Sequence, residues 1–390
     1  MTAPFTGIDF YQLDELLTEE ERAVRDTVRD WVSRRFMPVI EQHNRAGTFP
    51  DHLIPEMAEM GLLGAPIQGY DCAGMNATAY GLILQELERG DSGLRSFASV
   101  QTSLCMWPIW TYGTEDQKQK WLPPMARGKK LGCFGLTEPD HGSNPGGMIT
   151  RAKRKGGKWV LNGAKMWITN ATVADIAVVW AKDDEDQIRG YLVEKGTPGF
   201  TSRETKNKWS LRASITGELI FSDCAIPEDC VFPDVKGLKG PLSCLTQARY
   251  GIAWGAIGAA MACYDSSVNY AKTRIQFDRP IGAFQLNQEK LAYMLTEITK
   301  GQCLCLRLAQ LKDQKKLKPE QVSLAKRNNV EIALNIARLA RDLHGANGII
   351  DEYPVIRHMM NLESVKTYEG THDIHTLVLG QAATGLAAYT

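Results

Sequence analysis

The sequence lacks any imbalance of charge. Its 45 Lys and Arg residues equal its 45 Asp and Glu residues in number, so the formal net charge is zero. A protein that binds nucleic acid concentrates positive charge to attract phosphates, and this composition therefore argues against a nucleic-acid partner. Near-zero net charge also suits a surface that is partly covered by subunit contacts, and we expect an oligomer.

Long hydrophobic runs are also missing. The most apolar stretch, Gly251 to Cys263, is shorter than the ~18 residues that a membrane-spanning helix needs. Its glycine and alanine content predicts a closely packed internal helix. The first residues, Met1 to Glu15, include Asp9, Asp14 and Glu15, and no basic region is followed by an apolar run. We therefore expect a cytoplasmic protein with no membrane span.

Paired cysteines and phosphate-binding motifs are absent too. The nine cysteines are scattered and include no C-x-x-C, and the pair Cys303 and Cys305 has no further ligands at a suitable spacing. This pattern is typical of buried free thiols in a reducing compartment, and we predict no metal site. The sequence also contains no G-x-G-x-x-G and no G-x-x-x-x-G-K-[ST], so any nucleotide has to be held by another arrangement.

The helical and β-prone segments follow one another in three blocks. A length of 390 residues predicts two or three domains at ~150 residues each. Thr18 followed by Glu21 is a capping-box pattern that opens a helical region, short β-prone runs begin near Gly132, and helical periodicity returns from Leu242. We expect a mainly α protein with an N-terminal helical domain (1–131), a middle β domain (132–240) and a C-terminal helical bundle (241–390).

One hairpin is predicted inside the middle domain. Asn162-Gly163 lies between two apolar runs, Trp159 to Leu161 and Met166 to Ile168. Asn-Gly is the preferred pair for a two-residue hairpin turn, because both residues tolerate a positive φ. The pattern therefore predicts that the two runs are adjacent antiparallel strands.

Two segments of the middle domain are candidates for ligand binding. The loop from Phe134 to Ser143 concentrates glycine, hydroxyl and turn residues, which suits close approach of the backbone to a ligand but is also common in simple connections. Trp167, followed by Ile168 and Thr169, either covers a flat ligand or packs into the core. Composition alone leaves both questions open.

Two further candidates lie in the C-terminal region. Arg274, Phe277 and Gln285 belong to a polar run between two helical stretches, where an arginine either binds phosphate or forms surface salt bridges. The segment from Asp342 to Gly348 follows a helix, and its glycines either cap that helix or form a backbone cradle for a ligand.

A candidate base lies near the end of the chain. Glu369 stands beside Gly370, and Thr371 is placed to cap the helix that follows. A carboxyl group at such a position can act as a base when burial raises its pKa, although an ordinary acidic residue near a helix start is the simpler interpretation. His372 and His375 have the spacing of an H-x-x-H metal pair, but solvated or hydrogen-bonded histidines are the favoured interpretation.

Taken together, the order and spacing of these five segments resemble the acyl-CoA dehydrogenase family along nearly the whole chain. The resemblance implies a homotetramer with FAD bound between the β domain and the helical bundle, and transfer of electrons to an electron-transfer flavoprotein. It implies that Glu369 removes the α-proton of an acyl thioester while hydride leaves the β-carbon for flavin N5. The residues that it places at FAD in their own subunit are Phe134, Leu136, Thr137, Gly142, Ser143, Trp167, Ile168 and Thr169. Those that it places at the FAD of a neighbouring subunit are Arg274, Phe277, Gln285, Asp342, Leu343, His344, Gly345 and Ala346. It also implies cofactor contacts for Thr371 and Asp373, at the start of the helix that follows Glu369.

Three of these positions depart from the wider family pattern. Asp373 stands where glutamine is usual, and Asp342 and Ala346 stand where glutamine and glycine are common. They resemble the branch that acts on glutaryl-CoA.

The segment from Glu86 to Ser96 is the basis for a substrate hypothesis. Its charged residues resemble those of the glutaryl-CoA branch, in which an arginine at the position of Arg95 grips the distal carboxylate. An unpaired buried cation is costly, so an anionic substrate end is a natural partner for it. The resemblance also implies substrate contacts for Glu88, Ser96, Ser143, Leu242, Arg249, Tyr250 and Gly370.

The resemblance therefore implies FAD-dependent oxidative decarboxylation of glutaryl-CoA to crotonyl-CoA and CO2. Three alternatives stay open. They are a short-chain or branched-chain acyl-CoA dehydrogenase, a glutaryl-CoA dehydrogenase that does not decarboxylate, and a helical protein that binds flavin or CoA without turnover.

Overall fold

In the computed structural model, residues 5–388 are described, and residues 1–4 and 389–390 lie outside this range. The part of the N-terminal expectation that concerns Met1 to Pro4 therefore falls outside the described residues. Seven helices form the N-terminal region: α1 Glu19–Trp31, α2 Met37–Ala46, α3 Ile54–Glu59, α4 Ala77–Gly90, α5 Ser92–Ser99, α6 Trp107–Tyr112 and α7 Glu115–Ala126. The turns Val32–Phe36 and Val100–Met106 are π-helical and join α1 to α2 and α5 to α6.

The first helix begins where the sequence predicts. Thr18 Oγ1 accepts a hydrogen bond from Glu21 N, and Glu21 Oε2 accepts one from Thr18 N at 2.7 Å. Val28, Trp31 and Val32 then bury one face of this helical segment. The capping-box prediction is confirmed.

A seven-stranded sheet follows. Its strands are β1 Gly132–Gly135, β2 Arg151–Arg154, β3 Lys158–Thr169, β4 Ile176–Lys182, β5 Ile188–Glu194, β6 Phe200–Glu204 and β7 Thr216–Pro227. Along the sheet the order is β1-β4-β2-β3-β7-β6, and β5 pairs with the other edge of β4. The pairs that β4 forms with β1 and β2 are parallel, and the remaining pairs are antiparallel.

The hairpin predicted at Asn162-Gly163 is wrong. Both residues lie inside the continuous strand β3, whose register with β7 shifts between Leu161 and Gly163. Two steps along β3, from Leu161 to Gly163, match three steps along β7, from Cys224 to Phe221, so the extra residue of this bulge belongs to β7. Gly163 has φ +143°, and a methyl group on it would lie 2.5 Å from Thr150 Oγ1, so the strand needs a glycine there. The turn that joins β2 to β3 lies instead at residues 155–158, where Lys155 N donates to Lys158 O and Lys158 N to Lys155 O.

The C-terminal region is a helical bundle. It consists of α8 Lys239–Thr273, a short hairpin of β8 Ile275–Gln276 and β9 Arg279–Pro280, α9 Gln285–Asp313, α10 Pro319–Leu343, α11 Val355–Thr367 and α12 His372–Thr384. Of residues 5–388, no helix is both long and apolar enough to cross a membrane.

The centre of the bundle is α8, which packs closely against α4. The predicted internal helix, Gly251 to Cys263, lies in the middle of α8 and is almost completely buried, as the sequence predicts. Its glycines permit the close approach: a methyl group on Gly258 would lie 1.8 Å from the Gln85 carbonyl oxygen, and one on Gly255 would lie 2.0 Å from Glu88 Oε2. This contact brings the charged residues of α4 against the helix that carries Arg249.

Candidate active site

The loop between α11 and α12 presents Glu369. This residue has a left-handed backbone, with φ +51°, and Gly370 follows with φ +90°. A left-handed conformation is unfavourable for a residue other than glycine and persists only where its surroundings hold it. Thr371 caps α12, because its Oγ1 accepts a hydrogen bond from Ile374 N at 3.1 Å. The predicted helix start is confirmed, and it fixes the loop on one side.

Two cations from the bundle hold the same loop. Arg249 Nε donates to Glu369 O at 2.6 Å, and Lys326 Nζ donates to Tyr368 O at 2.8 Å and Gly370 O at 2.5 Å. A methyl group on Gly370 would lie 2.8 Å from His375 Nε2 and 3.1 Å from Arg249 Nη2, so only glycine fits there. Three consecutive carbonyl groups are therefore fixed by positive side chains.

The Glu369 carboxyl group has the properties of a base. Burial raises its pKa above the usual value, the cations Arg95, Lys326 and Arg249 oppose that rise, and Glu88 adds to it. Its Oε2 atom is buried and has no hydrogen-bond partner within the described chain. A desolvated carboxylate with a free oxygen can accept a proton from a bound molecule.

Arg95 lies next to this loop. Its side chain is fully buried, and Nε donates to Glu88 Oε2 at 2.6 Å, while Ser92 Oγ donates to Glu88 Oε1 at 2.9 Å. Nη2 donates to the hydroxyl of Tyr368, which also lies 3.3 Å from Ser96 Oγ. Nη1 is buried without a partner among the described residues.

These contacts correct the substrate argument in one respect. We expected an unpaired cation at Arg95, but Glu88 neutralises it inside the protein. What is left unsatisfied is a single N–H donor group, Nη1, and not the whole charge. A buried donor without a partner is costly, and a bound acceptor would relieve that cost.

Most of the charged segment that precedes Arg95 has a structural role. Glu86 pairs with Arg29 at 2.7 Å and with Arg89 at 2.8 Å, and Asp91 pairs with Arg357 at 2.6 Å. These pairs join α4 to α1 and to α11. The many charges between Glu86 and Arg95 are therefore not by themselves evidence of a substrate pocket. Within this segment, the pair of Glu88 and Arg95 is linked to the loop that carries Glu369, because Arg95 bonds Tyr368.

The remaining predicted substrate contacts differ in their surroundings. Leu242, in the first turn of α8, is 37% exposed, and Ser143 is exposed. Tyr250 is fully buried, and its hydroxyl donates to Ala77 O at 2.6 Å. Its polar atom is thus already paired with protein, and its contact with substrate stays a prediction.

The sequence did not single out two side chains that belong to this group. Lys326 is the eighth residue of α10 and lies outside the motifs of the sequence. Tyr368 stands next to Glu369 in the chain, and only the structure shows that its hydroxyl joins this loop to Arg95. Its position beside Glu369 is the one signal that the sequence offers.

The first group of predicted cofactor residues lies on β1, on the loop that follows it and at the end of β3. Phe134 and Leu136 are buried at β1, and Thr137 O accepts a hydrogen bond from Met166 N at 2.8 Å, next to Trp167. Trp167 is 58% exposed, with φ +63°, at a second irregularity in the pairing of β3 with β7. The alternative in which Trp167 packs into the core is therefore wrong.

A buried ion pair joins the loop after β1 to β3. Lys165 Nζ donates to Leu136 O at 3.0 Å and to Glu138 Oε1 at 2.9 Å. Glu138 also accepts from the N–H groups of Ile149 and Thr150, at 2.7 and 3.0 Å. Ile168 is buried beside Trp167, Thr169 is half-buried, and Gly142 has no atom within 4 Å of an added methyl group.

The second group lies on the helical bundle. Arg274, Phe277 and Gln285 are exposed, and the exposed fraction of Phe277 is 88%. Asp342 is exposed and pairs with Lys290 at 2.5 Å. Gly345 and Ala346 are exposed, whereas Leu343 and His344 are buried. His344 stacks on Tyr270, so the end of α10 is packed on the end of α8, directly before Arg274.

Thr371 and Asp373 lie at the start of α12. Thr371 is half-buried, Asp373 is exposed, and the fully buried His375 has neither ring nitrogen paired in the described chain. Among residues 5–388 there is no group of three or more His, Cys, Asp or Glu side chains that could hold a metal.

The residues of the β domain fit FAD. An exposed indole with a constrained left-handed backbone is costly unless it has a partner, and its flat face is suited to an isoalloxazine ring. Hydroxyl groups of Thr137, Ser143 and Thr169 lie along the same segments, where they can meet polar atoms of a cofactor.

The chain belongs to the acyl-CoA dehydrogenase family. Three family models match it in succession: the N-terminal domain of acyl-CoA dehydrogenases at residues 18–129, the middle domain at 133–224 and the C-terminal domain at 236–384. This membership confirms the predicted family, the fold of helical, β and helical regions, an oxidoreductase activity and FAD as the cofactor.

Solved structures and curated relatives agree with the assignment. A glutaryl-CoA dehydrogenase from Mycobacterium smegmatis is 54% identical, with a TM-score of 0.95 over 97% of this chain and 98% of that chain. A glutaryl-CoA dehydrogenase structure from the same organism, in complex with FADH2, is 50% identical, with a TM-score of 0.97 over 98% and 99%. The short-chain specific acyl-CoA dehydrogenase of Homo sapiens mitochondria is 36% identical over 95% of this chain and 91% of its own length.

Proposed function

We propose that the protein oxidises glutaryl-CoA and releases CO2, leaving crotonyl-CoA. The observation that carries this proposal is the pair of unsatisfied groups at one site: the free donor Arg95 Nη1 and the free acceptor Glu369 Oε2. A dicarboxylic thioester has an anionic end for the first group and an acidic α C–H bond for the second. The similarity to glutaryl-CoA dehydrogenases at 50 and 54% identity supports the same substrate.

Glu369 acts as the base in this proposal. Its raised pKa makes the Glu369 carboxylate a stronger base than an exposed glutamate. A stronger base is better suited to removing the weakly acidic proton from the α-carbon of a thioester. The backbone N–H of Glu369 stabilises the developing enolate oxygen. FAD, when bound, supplies the acceptor for the two electrons that leave the substrate.

Arg95 binds the distal carboxylate. The guanidinium group is held by Glu88 and Tyr368, so its orientation is fixed before substrate arrives. Fixed polar groups bind more effectively than mobile ones, because little entropy is lost on binding. After oxidation, the distal carboxylate is carried by the saturated γ-carbon next to the new double bond. Cleavage of the bond between that carboxylate and the γ-carbon releases CO2 and leaves an electron pair that is delocalised through the double bond onto the thioester, and protonation of the γ-carbon then gives crotonyl-CoA. Protonated Glu369 is the donor for that step.

A short-chain acyl-CoA dehydrogenase is the second candidate. It is favoured by the 36% identity to the human short-chain specific enzyme. The two functions differ in the ratio of kcat/KM for glutaryl-CoA and butyryl-CoA, measured with an artificial electron acceptor. We expect glutaryl-CoA to be preferred by at least tenfold, which corresponds to about 1.4 kcal/mol. A preference for butyryl-CoA would contradict the proposal.

The exposed residues on the bundle support a homotetramer in which each FAD is shared between subunits. Arg274, Phe277 and Gln285 are exposed in the segment that joins α8 to α9 and begins α9, where Leu286 is 73% exposed. Exposed apolar side chains of this size are typical of an interface. A mass measurement by light scattering tests this part of the proposal, since a monomer that retains FAD would contradict it.

We also propose an electron acceptor and a location for the protein. Electrons pass on to an electron-transfer flavoprotein, and the protein acts in the cytoplasm. A direct test of the acceptor is the reduction of purified electron-transfer flavoprotein by this protein in the presence of substrate.

A further inference from the structure

Lys326 is a buried cation without a carboxylate among its hydrogen-bond partners. It is the eighth of the 25 residues of α10 and is 1% exposed. Burying a lysine removes its ammonium group from water, and the protein has to replace those contacts. The replacements are two backbone carbonyl oxygens, Tyr368 O at 2.8 Å and Gly370 O at 2.5 Å.

These two carbonyls stand on either side of Glu369. An ammonium group that bonds both of them fixes the chain before and after the residue that has the left-handed backbone. Arg249 holds the carbonyl between them from α8. The direction in which the Glu369 side chain leaves the backbone is therefore set by two helices of the bundle and not by the loop alone.

The charge of Lys326 also acts on the carboxyl group. Glu369 is surrounded by charged or titratable groups from each neighbouring helix: Tyr80 and Glu88 on α4, Arg95 on α5, Arg249 on α8, Lys326 on α10, and His375 on α12, besides its neighbour Tyr368. Burial lowers the pKa of Lys326 to about 7, and Glu369 opposes that change. Arg95 is paired with Glu88, and Arg249 donates to the carbonyl oxygen of Glu369 itself. Lys326 is the cation that bonds the carbonyl oxygens of the residues before and after Glu369.

We propose that Lys326 is a positioning residue that holds Glu369 in the orientation needed for proton abstraction and favours its ionised form. This inference rests on the proposed role of Glu369 as the base. It extends that role, because it assigns the control of the base to a side chain on a different helix.

The test compares Lys326→Met with Lys326→Arg. The first removes both the charge and the donor groups at nearly constant length, and the second keeps both. Flavin reduction by glutaryl-CoA is followed anaerobically in a single turnover, over a range of pH. Arg327→Met is the matched control, because Arg327 is the next residue on α10 and bonds Thr376 instead of the loop.

We expect Lys326→Met to reduce its flavin roughly 10- to 100-fold more slowly at saturating substrate, since small displacements of a catalytic group have effects of this size. The apparent affinity for substrate changes much less. Because a cation near Glu369 lowers the pKa of that carboxyl group, its removal moves the acid limb of the pH profile to higher pH. Lys326→Arg and Arg327→Met keep the acid limb of the wild type.

Two results would overturn the inference. One is an unchanged rate and acid limb in Lys326→Met. The other is a slower rate with an unmoved acid limb, which shows a structural role only. If Lys326→Met loses FAD, Lys326→Gln tests the charge alone, because its amide keeps a donor and lacks the charge, and an unmoved acid limb in that variant would overturn the inference. The proposed function is judged separately on the wild type: if butyryl-CoA reduces the flavin and glutaryl-CoA does not, the substrate is wrong, and the Lys326 comparison is made with butyryl-CoA.

Discussion

Arg95 and Glu88 form an ion pair of 2.6 Å in which neither side chain has any exposed surface. The pair lies where α4, α5 and α8 meet, and Gly255 of α8 makes room for it. A buried pair of this kind contributes little net stability, because its attraction mainly offsets the loss of hydration. Its value lies in specificity, since it holds the guanidinium group in one orientation beside Tyr368 and Glu369.

Replacement of Arg95 should change substrate preference. We expect Arg95→Met to lower kcat/KM for glutaryl-CoA by at least 100-fold and for butyryl-CoA much less, because only glutaryl-CoA has a carboxylate for Nη1 to bind. The single variant also leaves Glu88 buried and unpaired, which costs about 3–5 kcal/mol of stability.

The double variant Glu88→Gln/Arg95→Met separates these two effects. It removes the lone charge and is expected to recover most of the lost melting temperature, but not the preference for glutaryl-CoA. Equal losses for both substrates in the single variant would show that Arg95 supports the fold and does not select the substrate.

Gly255 should be intolerant of substitution. In Gly255→Ala the new methyl group would lie 2.0 Å from Glu88 Oε2 and 3.2 Å from Arg95 Nε, so the ion pair has to move. We expect a loss of about 1–3 kcal/mol in stability, as is usual for overpacking, and a weaker preference for glutaryl-CoA. Gly380→Ala is the control, since Gly380 lies in α12 with nothing within 4 Å of an added methyl group. This second change should be neutral or slightly stabilising, and equal losses in both variants would contradict the account of the α4–α8 contact.

The Glu369 carboxylate should destabilise the folded protein at neutral pH. Its pKa is raised in the folded state, so its contribution to stability is present below the unfolded pKa of about 4.3 and is lost as pH rises through the folded pKa. We therefore expect Glu369→Gln to melt at a higher temperature than the wild type at pH 8, and the difference to shrink towards pH 4. Thermal unfolding of the two proteins at equal FAD content measures this directly, and a lower melting temperature for the variant at pH 8 would show that the folded state stabilises the ionised carboxyl group.

The sequence predicted features that depend on nearby residues along the chain. The caps at Thr18 and Thr371 were predicted correctly because a capping side chain bonds backbone groups only two or three positions away. The internal helix around Gly251 was also predictable, since its apolar composition leaves it little alternative to burial. The family resemblance supplied the order of the three regions, which composition alone did not determine.

The errors concern contacts between distant parts of the chain. Asn162-Gly163 has the local chemistry of a hairpin turn, but pairing of β3 with both β2 and β7 favours a continuous strand, and the bulge opposite Asn162 belongs to β7. The partner of Arg95 was missed for a similar reason, because charges at Glu86, Glu88 and Asp91 are indistinguishable in sequence until the helices that they face are known. Lys326 had no signal at all, since its role depends on the packing of α10 against the loop after α11.

The most direct test of the central claim is identification of the products formed from glutaryl-CoA. The purified protein is incubated with glutaryl-CoA and an artificial electron acceptor, and the thioesters are identified by mass spectrometry, with Glu369→Gln as the inactive control. We predict crotonyl-CoA and an equal amount of released CO2 from the wild type, and unreacted glutaryl-CoA from the variant. Glutaconyl-CoA without CO2 would contradict the decarboxylation, and equal turnover by the variant would contradict the assignment of Glu369 as the base.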